Sequence, residues 1–189
     1  NRVELRYSSA DRRTERLTGG VPPWTWPELA PPLDLCDALY VNFISGMEME
    51  LKAARAVRAG YRGPTYADLH SLFLGITPQG VRVPRSLEAW GEWLRCFDGV
   101  PMNEDEFALL GTGVGDSWQV AADALGPQLR LLTVTLGPRG AAYVAGPGFE
   151  PDPFRWPQRA AVATAGSSRS GRVALVGLPR EGDPTGCGD

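Results

Sequence analysis

The stretch ALYVNFISGMEMELKAARAVRAGYRGPTYADL (residues 38–69) predicts a strand, a helix and a second strand in succession. Its first part, Ala38 to Phe43, is a short apolar run typical of a buried strand. A helix follows from about Met47 to Ala59, with apolar residues recurring every three or four positions. Gly60 ends this helix, and Pro64 to Leu69 forms the next strand. Units of this kind build parallel sheets.

The alternation of strands and helices continues toward the middle of the chain. A second helix, capped by its first residue, is predicted over Ser86–Phe97. A very short strand over Val100–Met102 leads into a helix that starts near Asn103, and a further helix covers Asp116–Leu125. Strand and helix thus alternate from Asp34 to Leu125, which predicts an α/β fold with a mainly parallel sheet covered by helices.

The two ends of the chain have other patterns. Arg2 to Ser8 alternates apolar and polar residues, as in a half-buried strand, and Ser9 to Pro32 has the polar and then Pro/Trp-rich composition of a connecting loop. Leu131–Leu136 is a β-branched strand that pairs with Gly140–Ala145 as a hairpin, and Arg172–Gly177 is the last predicted strand.

The ends of the chain also suggest how it is organised. It begins at Asn1 rather than Met and stops at Asp189, directly after a Gly-rich turn, so we expect a fragment cut at both ends. Residues 1–33 would be the end of a truncated N-terminal segment, and residues 34–189 would be part of the α/β core.

The composition is that of an ordinary globular domain. The 189 residues are 43% apolar and 22% charged, with a formal net charge of −3. An acidic balance this mild does not suit a protein that tracks nucleic-acid phosphates. No run of about eighteen apolar residues occurs, so no membrane span is predicted. Three distant cysteines and no recognisable secretion signal predict a cytoplasmic protein without a disulfide framework.

Scarce residue types exclude several kinds of active site. Lys52 is the only lysine, and it lies in neither the Gly-Lys-Ser/Thr of a P-loop nor the strand motif of a protein kinase. His70 is the only histidine, which excludes zinc sites built on several histidines. A Ser-His-Asp triad would need His70, and no Gly-x-Ser-x-Gly elbow accompanies it.

Candidate site residues follow the predicted strands, because ligands of open α/β sheets bind at the carboxyl ends of the strands. Carboxylates, amides and glycines recur at these positions. They are Asn42, Ser45, Gly46, Asp68, His70, Asn103, Glu106, Gly137, Gly140 and the segment Asp183–Asp189. Such a rim suits an anionic ligand that carries a divalent cation.

The segment Asp183-Pro184-Thr185-Gly186-Cys187-Gly188-Asp189 is the most informative of these. Two glycines separated by one residue can turn successive backbone N–H groups toward one point, and a helix starting there would complete an anion hole. An aspartate directly afterwards could take a proton from a hydroxyl that attacks a bound phosphoryl group. The alternative is a Gly-rich turn whose aspartate caps a helix, and spacing alone favours neither.

This segment resembles the C-terminal signature of the ribokinase (phosphofructokinase-B) family of carbohydrate kinases. Asn103-Glu104-Asp105-Glu106 resembles the Asn-x-x-Glu magnesium motif of that family, and residues 134–141 resemble its nucleotide-side strand, turn and strand. Tyr66-Ala67-Asp68 matches the strand that ends in an aspartate near the phosphates, and residues 41–46 match a strand-to-helix joint. The resemblance covers about residues 34–189.

The resemblance implies a ribokinase-like three-layer α/β/α fold, here as a partial domain, and transfer of the γ-phosphoryl group of ATP to a sugar-type alcohol. Asp189 would be the catalytic base, and the amides of Gly186, Cys187 and Gly188 the anion hole. Asn103 and Glu106 would order Mg²⁺ through water. Residues beside the nucleotide and its phosphates would be Gly137, Gly140, Asp183 and Asp68.

Other interpretations of the same residues remain open at this stage. Asn103 with Glu106 also has the spacing of a helix capping pair. Gly137 and Gly140 could be ordinary hairpin glycines. His70 is expected to be structural or to face solvent, because the family does not use a histidine there.

The resemblance leaves the substrate undetermined. The family's N-terminal Gly-Gly motif, with the residues that select the sugar, is absent from this piece, and we expect that the family's segments after the catalytic aspartate are missing from it as well. We therefore expect this piece to have little activity by itself. A nucleoside kinase of the same family and a non-catalytic binding or regulatory protein of the same fold are the alternatives, and an oligomer is possible. Retention of Asp189, Asn103 and Glu106 together favours an enzyme.

Overall fold

The computed structural model describes residues 1–9, 12–110, 117–126, 128–156 and 166–175. In chain order these residues form β1 (Arg2–Ser9), β2 (Arg12–Thr18), α1 (Trp26–Leu33), β3 (Leu39–Asn42), α2 (Leu51–Gly60), β4 (Thr65–Asp68), β5 (Leu74–Ile76), β6 (Arg82–Pro84), α3 (Trp90–Arg95), β7 (Gly99–Asn103), α4 (Glu104–Leu110), α5 (Ser117–Ala124), β8 (Leu131–Thr135), β9 (Ala141–Ala145) and β10 (Arg169–Val173). None of the helices in these ranges is long and apolar enough to cross a membrane.

Six of these strands form the central sheet, in the order β10-β9-β8-β7-β4-β3. Strands β3, β4, β7 and β8 run parallel to one another, while β9 and β10 are antiparallel to their neighbours. The predicted mainly parallel sheet is therefore confirmed, as is the hairpin of β8 with β9. The register places Asn42 opposite Asp68, and Asn103 opposite Thr135. Polar strand ends are thus aligned along one edge of the sheet.

The helices pack on one face of this sheet. In β8, Leu132 and Val134 are fully buried, whereas the alternate residues are only half-buried. The helices contact one another in the series α1, α2, α3, α5 and α4. Phe43 and Phe97 belong to the fully buried core beneath them. The described residues thus supply the sheet and one helical layer, and burial of this apolar face is the main stabilising contribution.

The prediction of a connecting loop over Ser9–Pro32 is wrong. Strand β2 pairs with β1 as an antiparallel hairpin, and α1 follows before Leu33. The missed helix signal is a capping box, in which Glu28 Oε2 accepts a hydrogen bond from the Thr25 amide at 2.8 Å. Strand β2 was missed because its sequence has no apolar alternation: among the hairpin residues whose burial is described, only Leu17 is buried, and the strands pair through backbone hydrogen bonds.

Several predicted boundaries also differ from the structure. Helix α2 begins at Leu51 rather than near Met47, because the Glu48 carboxylate accepts hydrogen bonds from the Ser45 and Gly46 amides and holds a turn before it. The helix predicted over 86–97 is limited to α3, and it is preceded by Ala89 with φ of +52° rather than capped by Ser86. The three-residue strands β5 and β6 were not predicted, because they are too short to show a periodic pattern. The last strand, predicted to start at Arg172, starts at Arg169 in the structure.

Candidate functional site

A cleft of about 360 Å³ opens at the carboxyl ends of the parallel strands. Its floor includes the last residue of each strand, namely Asn42 of β3, Asp68 of β4, Asn103 of β7 and Thr135 of β8. These four residues come together because the four strands are parallel and in register. The structure thus brings together three residues that the sequence singled out and adds Thr135.

The hairpin of β1 and β2 forms one wall of this cleft. Val3, Leu5 and Glu15 line it from the hairpin, and Arg82 lines it from β6. The hairpin is joined to the turn before β6, where the Leu17 amide donates to the carbonyl of Gly80 at 2.9 Å. Sequence reasoning missed the role of Glu15 and Arg82, because neither hairpin was predicted.

Asn103 and Glu106 form a capping box at the start of α4. The Asn103 amide donates to Glu106 Oε2 at 3.0 Å, its side chain Nδ2 donates to Oε1 at 2.7 Å, and the Glu106 amide donates to Asn103 Oδ1 at 2.9 Å. The capping interpretation is therefore correct on geometry. It also holds the Glu106 carboxylate, which is 5% exposed, in one orientation at the cleft wall. The role of Glu106 in capping α4 does not exclude a second role in ordering a ligand in the cleft.

His70 does not face only solvent, because it contacts both Glu106 and Asp68. Its ring Nδ1 contacts Glu106 Oε1, and its amide donates to Asp68 Oδ1 at 2.9 Å. The hydrogen bond to the Glu106 carboxylate raises the pKa of His70, although burial opposes this effect. Burial raises the pKa of Asp68, and the negative charge of Glu106 adds to the increase. Two carboxylates and one imidazole thus share one partly desolvated corner of the cleft.

The His70–Glu106 contact predicts a specific pH dependence of stability. Because the folded-state pKa of His70 is raised, its stabilisation is complete below the unfolded value of about 6.5 and is lost as pH rises through the folded value. Urea unfolding between pH 5.5 and 9 should show the wild type losing more free energy of unfolding over this window than His70→Gln. Parallel curves for the two proteins would contradict the contact.

The donor atoms of this cluster suit a hydrated divalent cation. Within the described ranges, no group of three or more His, Cys, Asp or Glu side chains is arranged to hold a metal directly. Both oxygens of Glu106 already accept hydrogen bonds, and Asp68 uses only Oδ1 for the His70 amide among the described residues. Carboxylate and amide oxygens of this kind bind Mg²⁺ through its water shell. The donor set therefore fits Mg²⁺ held through water.

Gly137 and Gly140 lie in the turn between β8 and β9 and do not line the cleft. Gly140 has φ of +90°, and a Cβ atom there would lie 2.0 Å from the carbonyl oxygen of Val173. A glycine is therefore required for β10 to pass this turn. The hairpin interpretation accounts for this geometry, and the nucleotide-binding role stays a prediction.

The residues of the C-terminal motif lie outside the described residues. They are Asp183, Gly186, Cys187, Gly188 and Asp189. Their roles as catalytic base, anion hole and phosphate neighbour therefore also stay predictions from the sequence.

Comparisons with known proteins bear on the fold. No family model and no curated protein matches this sequence. Among solved structures, a pyrophosphate-dependent kinase in the ribokinase family in complex with sulfate matches with a TM-score of 0.59 and 21% identity over 75% of this chain and 49% of that one. A complex of a pyrophosphate-dependent kinase in that family with a pyrophosphate analog and myo-inositol gives 0.56 and 18%, over 75% and 48% of the two chains. A fructokinase with bound ATP from Xylella fastidiosa gives 0.56 and 14%, over 94% and 49%.

These matches show a ribokinase-like α/β fold, in agreement with the sequence-based expectation. The chain spans about half the length of each of these kinases. Two of these three structures are of a pyrophosphate-dependent kinase, and the third is of a fructokinase with bound ATP.

Proposed function

We propose that this chain is the central part of a kinase of the ribokinase type, which transfers a phosphoryl group to a hydroxyl of a sugar-type small molecule in the cytoplasm. The observation that carries the proposal is the cleft at the carboxyl ends of β3, β4, β7 and β8. Its polar strand ends, its Asn103–Glu106 pair and the hairpin at its wall support a site for a hydroxylated ligand and a metal-bound phosphate.

In this proposal Asp189 is the general base that removes the proton of the attacking hydroxyl. The backbone amides of Gly186, Cys187 and Gly188 stabilise the negative charge that develops on the transferred phosphoryl group. Asp183, Gly137 and Gly140 lie on the side of the phosphoryl donor. These roles rest on the sequence motif and on the fold.

Asp68 and Glu106 hold the divalent cation through water, and the cation supplies neutralisation of the phosphate charge. Asn103 orients the Glu106 carboxylate through its Nδ2 and its amide. His70 contacts Glu106 through its ring Nδ1, and this contact raises the pKa of His70, which favours the protonated ring beside the two carboxylates. These residues order the phosphate region without themselves forming bonds to phosphorus.

The phosphoryl donor is proposed to be ATP with Mg²⁺, and pyrophosphate is the second candidate because two structures with this fold are of pyrophosphate-dependent kinases. A nucleoside acceptor and a non-catalytic binding protein remain the alternatives. The Asn103–Glu106 box, intact and facing the cleft, supports the enzyme over the non-catalytic protein.

The experiment that tests this function uses the full-length protein with labelled ATP or labelled pyrophosphate. Sugars, polyols including myo-inositol, and nucleosides serve as acceptors, and mass spectrometry detects a phosphorylated product. We expect turnover with one donor and with one class of alcohol, dependent on Mg²⁺. Absence of transfer from both donors to every acceptor would contradict the proposal.

A substitution at Glu106, measured in the same assay, tests the proposed role of this residue in holding Mg²⁺ through water. Glu106→Gln can keep the capping box, because glutamine also accepts at this position, but it removes the charge. We expect the Mg²⁺ concentration for half-maximal rate to rise by about 10–100-fold, as for other residues that bind a metal indirectly. Glu104→Gln on the same helix, exposed and paired with Arg139, is the control and should leave the Mg²⁺ requirement unchanged.

A further inference from the structure

Arg82 links the floor of the cleft to its hairpin wall. Its side chain is 2% exposed and reaches from β6 to both parts of the cleft. The Nη1 atom donates a hydrogen bond at 2.8 Å to the carbonyl of Ile44, just after β3, and lies 3.3 Å from Glu15 Oε2 on the β1–β2 hairpin. Ile44 and Glu15 both line the cleft. One buried nitrogen therefore joins two parts of the cleft that are distant in the sequence.

The other two nitrogens of this guanidinium group are out of reach of a ligand. Nε and Nη2 have almost no accessible surface, and they make no hydrogen bond within the part of the chain that the structure describes. Burial without a hydrogen bond is unfavourable for a polar group, so these two atoms do not explain why an arginine is buried here. The contacts of Nη1 do explain it, and they are contacts with the protein itself.

The contact with Glu15 is placed where the hairpin faces the cleft. At the base of the hairpin, the Leu17 amide donates to the carbonyl of Gly80 at 2.9 Å. Glu15 lies farther toward the tip, opposite Leu5, which also lines the cleft and is 38% exposed. The contact of Arg82 with Glu15 thus fixes the part of the hairpin that forms the wall.

The hairpin lies on the acceptor side of the cleft in the proposed function. Arg82 attaches it beside β3, which is at one end of the row β8-β7-β4-β3. The turn after β8, proposed for the phosphoryl donor, is at the other end of this row, and Asn103 and Asp68, proposed for the metal-bound phosphate, are on β7 and β4 between them. A molecule between the phosphate and the hairpin is therefore the phosphoryl acceptor.

We propose that Arg82 is a positioning residue, which fixes the β1–β2 hairpin against the cleft through Glu15 so that the phosphoryl acceptor binds tightly. The inference rests on the proposed function, and it adds to it a residue that touches neither substrate. Without this contact the hairpin is in place in a smaller fraction of the molecules, and the apparent affinity for the acceptor falls by that fraction. Binding of the donor is unchanged.

The first measurement is hydrogen exchange in the full-length protein without substrates. Because the Leu17 amide donates to Gly80, its exchange reports detachment of the hairpin from the core. Arg82→Met, which keeps an unbranched apolar stem, should speed this exchange by about 10-fold, as loss of a hydrogen bond to a charged group allows. Exchange in β8 should not change. Arg85→Met, at an exposed arginine that follows the same strand, is the matched control and should exchange as the wild type does.

Glu15→Ala separates position from charge. Arg82→Met removes a positive charge from the cleft and Glu15→Ala removes a negative one, yet both break the same contact. Both should speed exchange at Leu17 and raise the acceptor KM by about 10-fold, while kcat and the donor KM stay within about threefold. The double variant should have no larger effect than the stronger single one.

The control for Glu15→Ala is Glu4→Ala. Glu4 pairs with Arg2 of the same strand at 3.1 Å, so this variant also removes a carboxylate from the hairpin. It should keep the wild-type exchange and KM.

Arg82→Lys tests whether one nitrogen atom is sufficient. An ammonium nitrogen carries three donors and can make both contacts of Nη1. The acceptor KM of Arg82→Lys should therefore stay within about threefold of the wild type, whereas a role that needs the whole guanidinium group predicts a loss as large as that of Arg82→Met. If Arg82→Met does not fold, Glu15→Ala and Arg82→Lys decide.

Three results would overturn the inference. They are wild-type exchange at Leu17 in Arg82→Met and Glu15→Ala, shifts of the acceptor KM in opposite directions in these two variants, and a loss of kcat without a change in KM. These failures differ from failure of the proposed function. Absence of turnover in the wild type refutes the kinase, and exchange at Leu17 still decides whether Arg82 holds the hairpin. Turnover with wild-type exchange and KM in both variants refutes the role of Arg82 and leaves the kinase intact.

Discussion

Replacing Asp189 by Asn in the full-length protein should lower kcat by about a thousandfold while the affinity for the phosphoryl donor stays within about threefold. The amide has nearly the shape of the carboxylate but cannot accept the proton of the attacking hydroxyl. The amides of Gly186, Cys187 and Gly188 remain, so binding of the donor phosphates is preserved. Single-turnover kinetics, with donor affinity measured separately, separates the two effects.

The control for Asp189 is a carboxylate just before the Asp183–Asp189 segment, to which no role is assigned. Glu181→Gln changes the charge by the same amount and should retain the wild-type kcat within about twofold. A kcat of Asp189→Asn within tenfold of the wild type would refute the assignment of Asp189 as base. Loss of donor affinity together with kcat would instead place Asp189 in phosphate binding.

Replacing Asp98 by Ala should destabilise the fold by about 3–5 kcal/mol. Asp98 is 3% exposed and lies just before β7, where its Oδ1 accepts from Arg58 at 2.8 Å and lies 3.5 Å from Arg130. Its Oδ2 accepts from the amide and the hydroxyl of Thr65 at the start of β4. The substitution leaves two mostly buried guanidinium groups without their shared carboxylate.

Urea unfolding at neutral pH measures this effect. Asp123→Ala removes an exposed carboxylate that pairs with Gln119 on α5, and it should change the free energy of unfolding by no more than about 0.5 kcal/mol. A loss below about 1 kcal/mol for Asp98→Ala would mean that the cluster contributes little to stability. The Asp98 cluster is at the opposite ends of the strands from the cleft, so activity per folded molecule should be unaffected.

The succession of strands and helices along the chain that builds the central sheet was largely predictable. Strands β3, β4 and β8 carry apolar runs that end in polar residues, and the segments between them have helical periodicity or glycine turns. These signals are local, because the hydrophobic pattern of a buried strand or an amphipathic helix lies within a short window of sequence. The pairing of Asn103 with Glu106 was equally predictable, because the two residues of a capping box are only three positions apart in the sequence.

The two hairpins were not predictable by the same rules. Among the residues of the β1–β2 hairpin whose burial is described, only Leu17 is buried, and the strands pair through backbone hydrogen bonds that any sequence can make. The three-residue strands β5 and β6 are shorter than one period of a detectable pattern. Prolines in α1 suggested a loop, although the Thr25–Glu28 capping box is sufficient to start the helix.

The sequence by itself determined the α/β class, the parallel strands and the candidate residues at their carboxyl ends, because these follow from periodicities and motifs within a few residues. Only the tertiary structure decided that Glu15 and Arg82 line the same cleft as His70 and Glu106, which the sequence had placed at the strand ends. These residues lie on separate elements, far apart along the chain, and no local pattern links them. Their meeting depends on how the hairpins fold over the sheet, and it is this packing that buries Arg82 with two donors unpaired among the described residues.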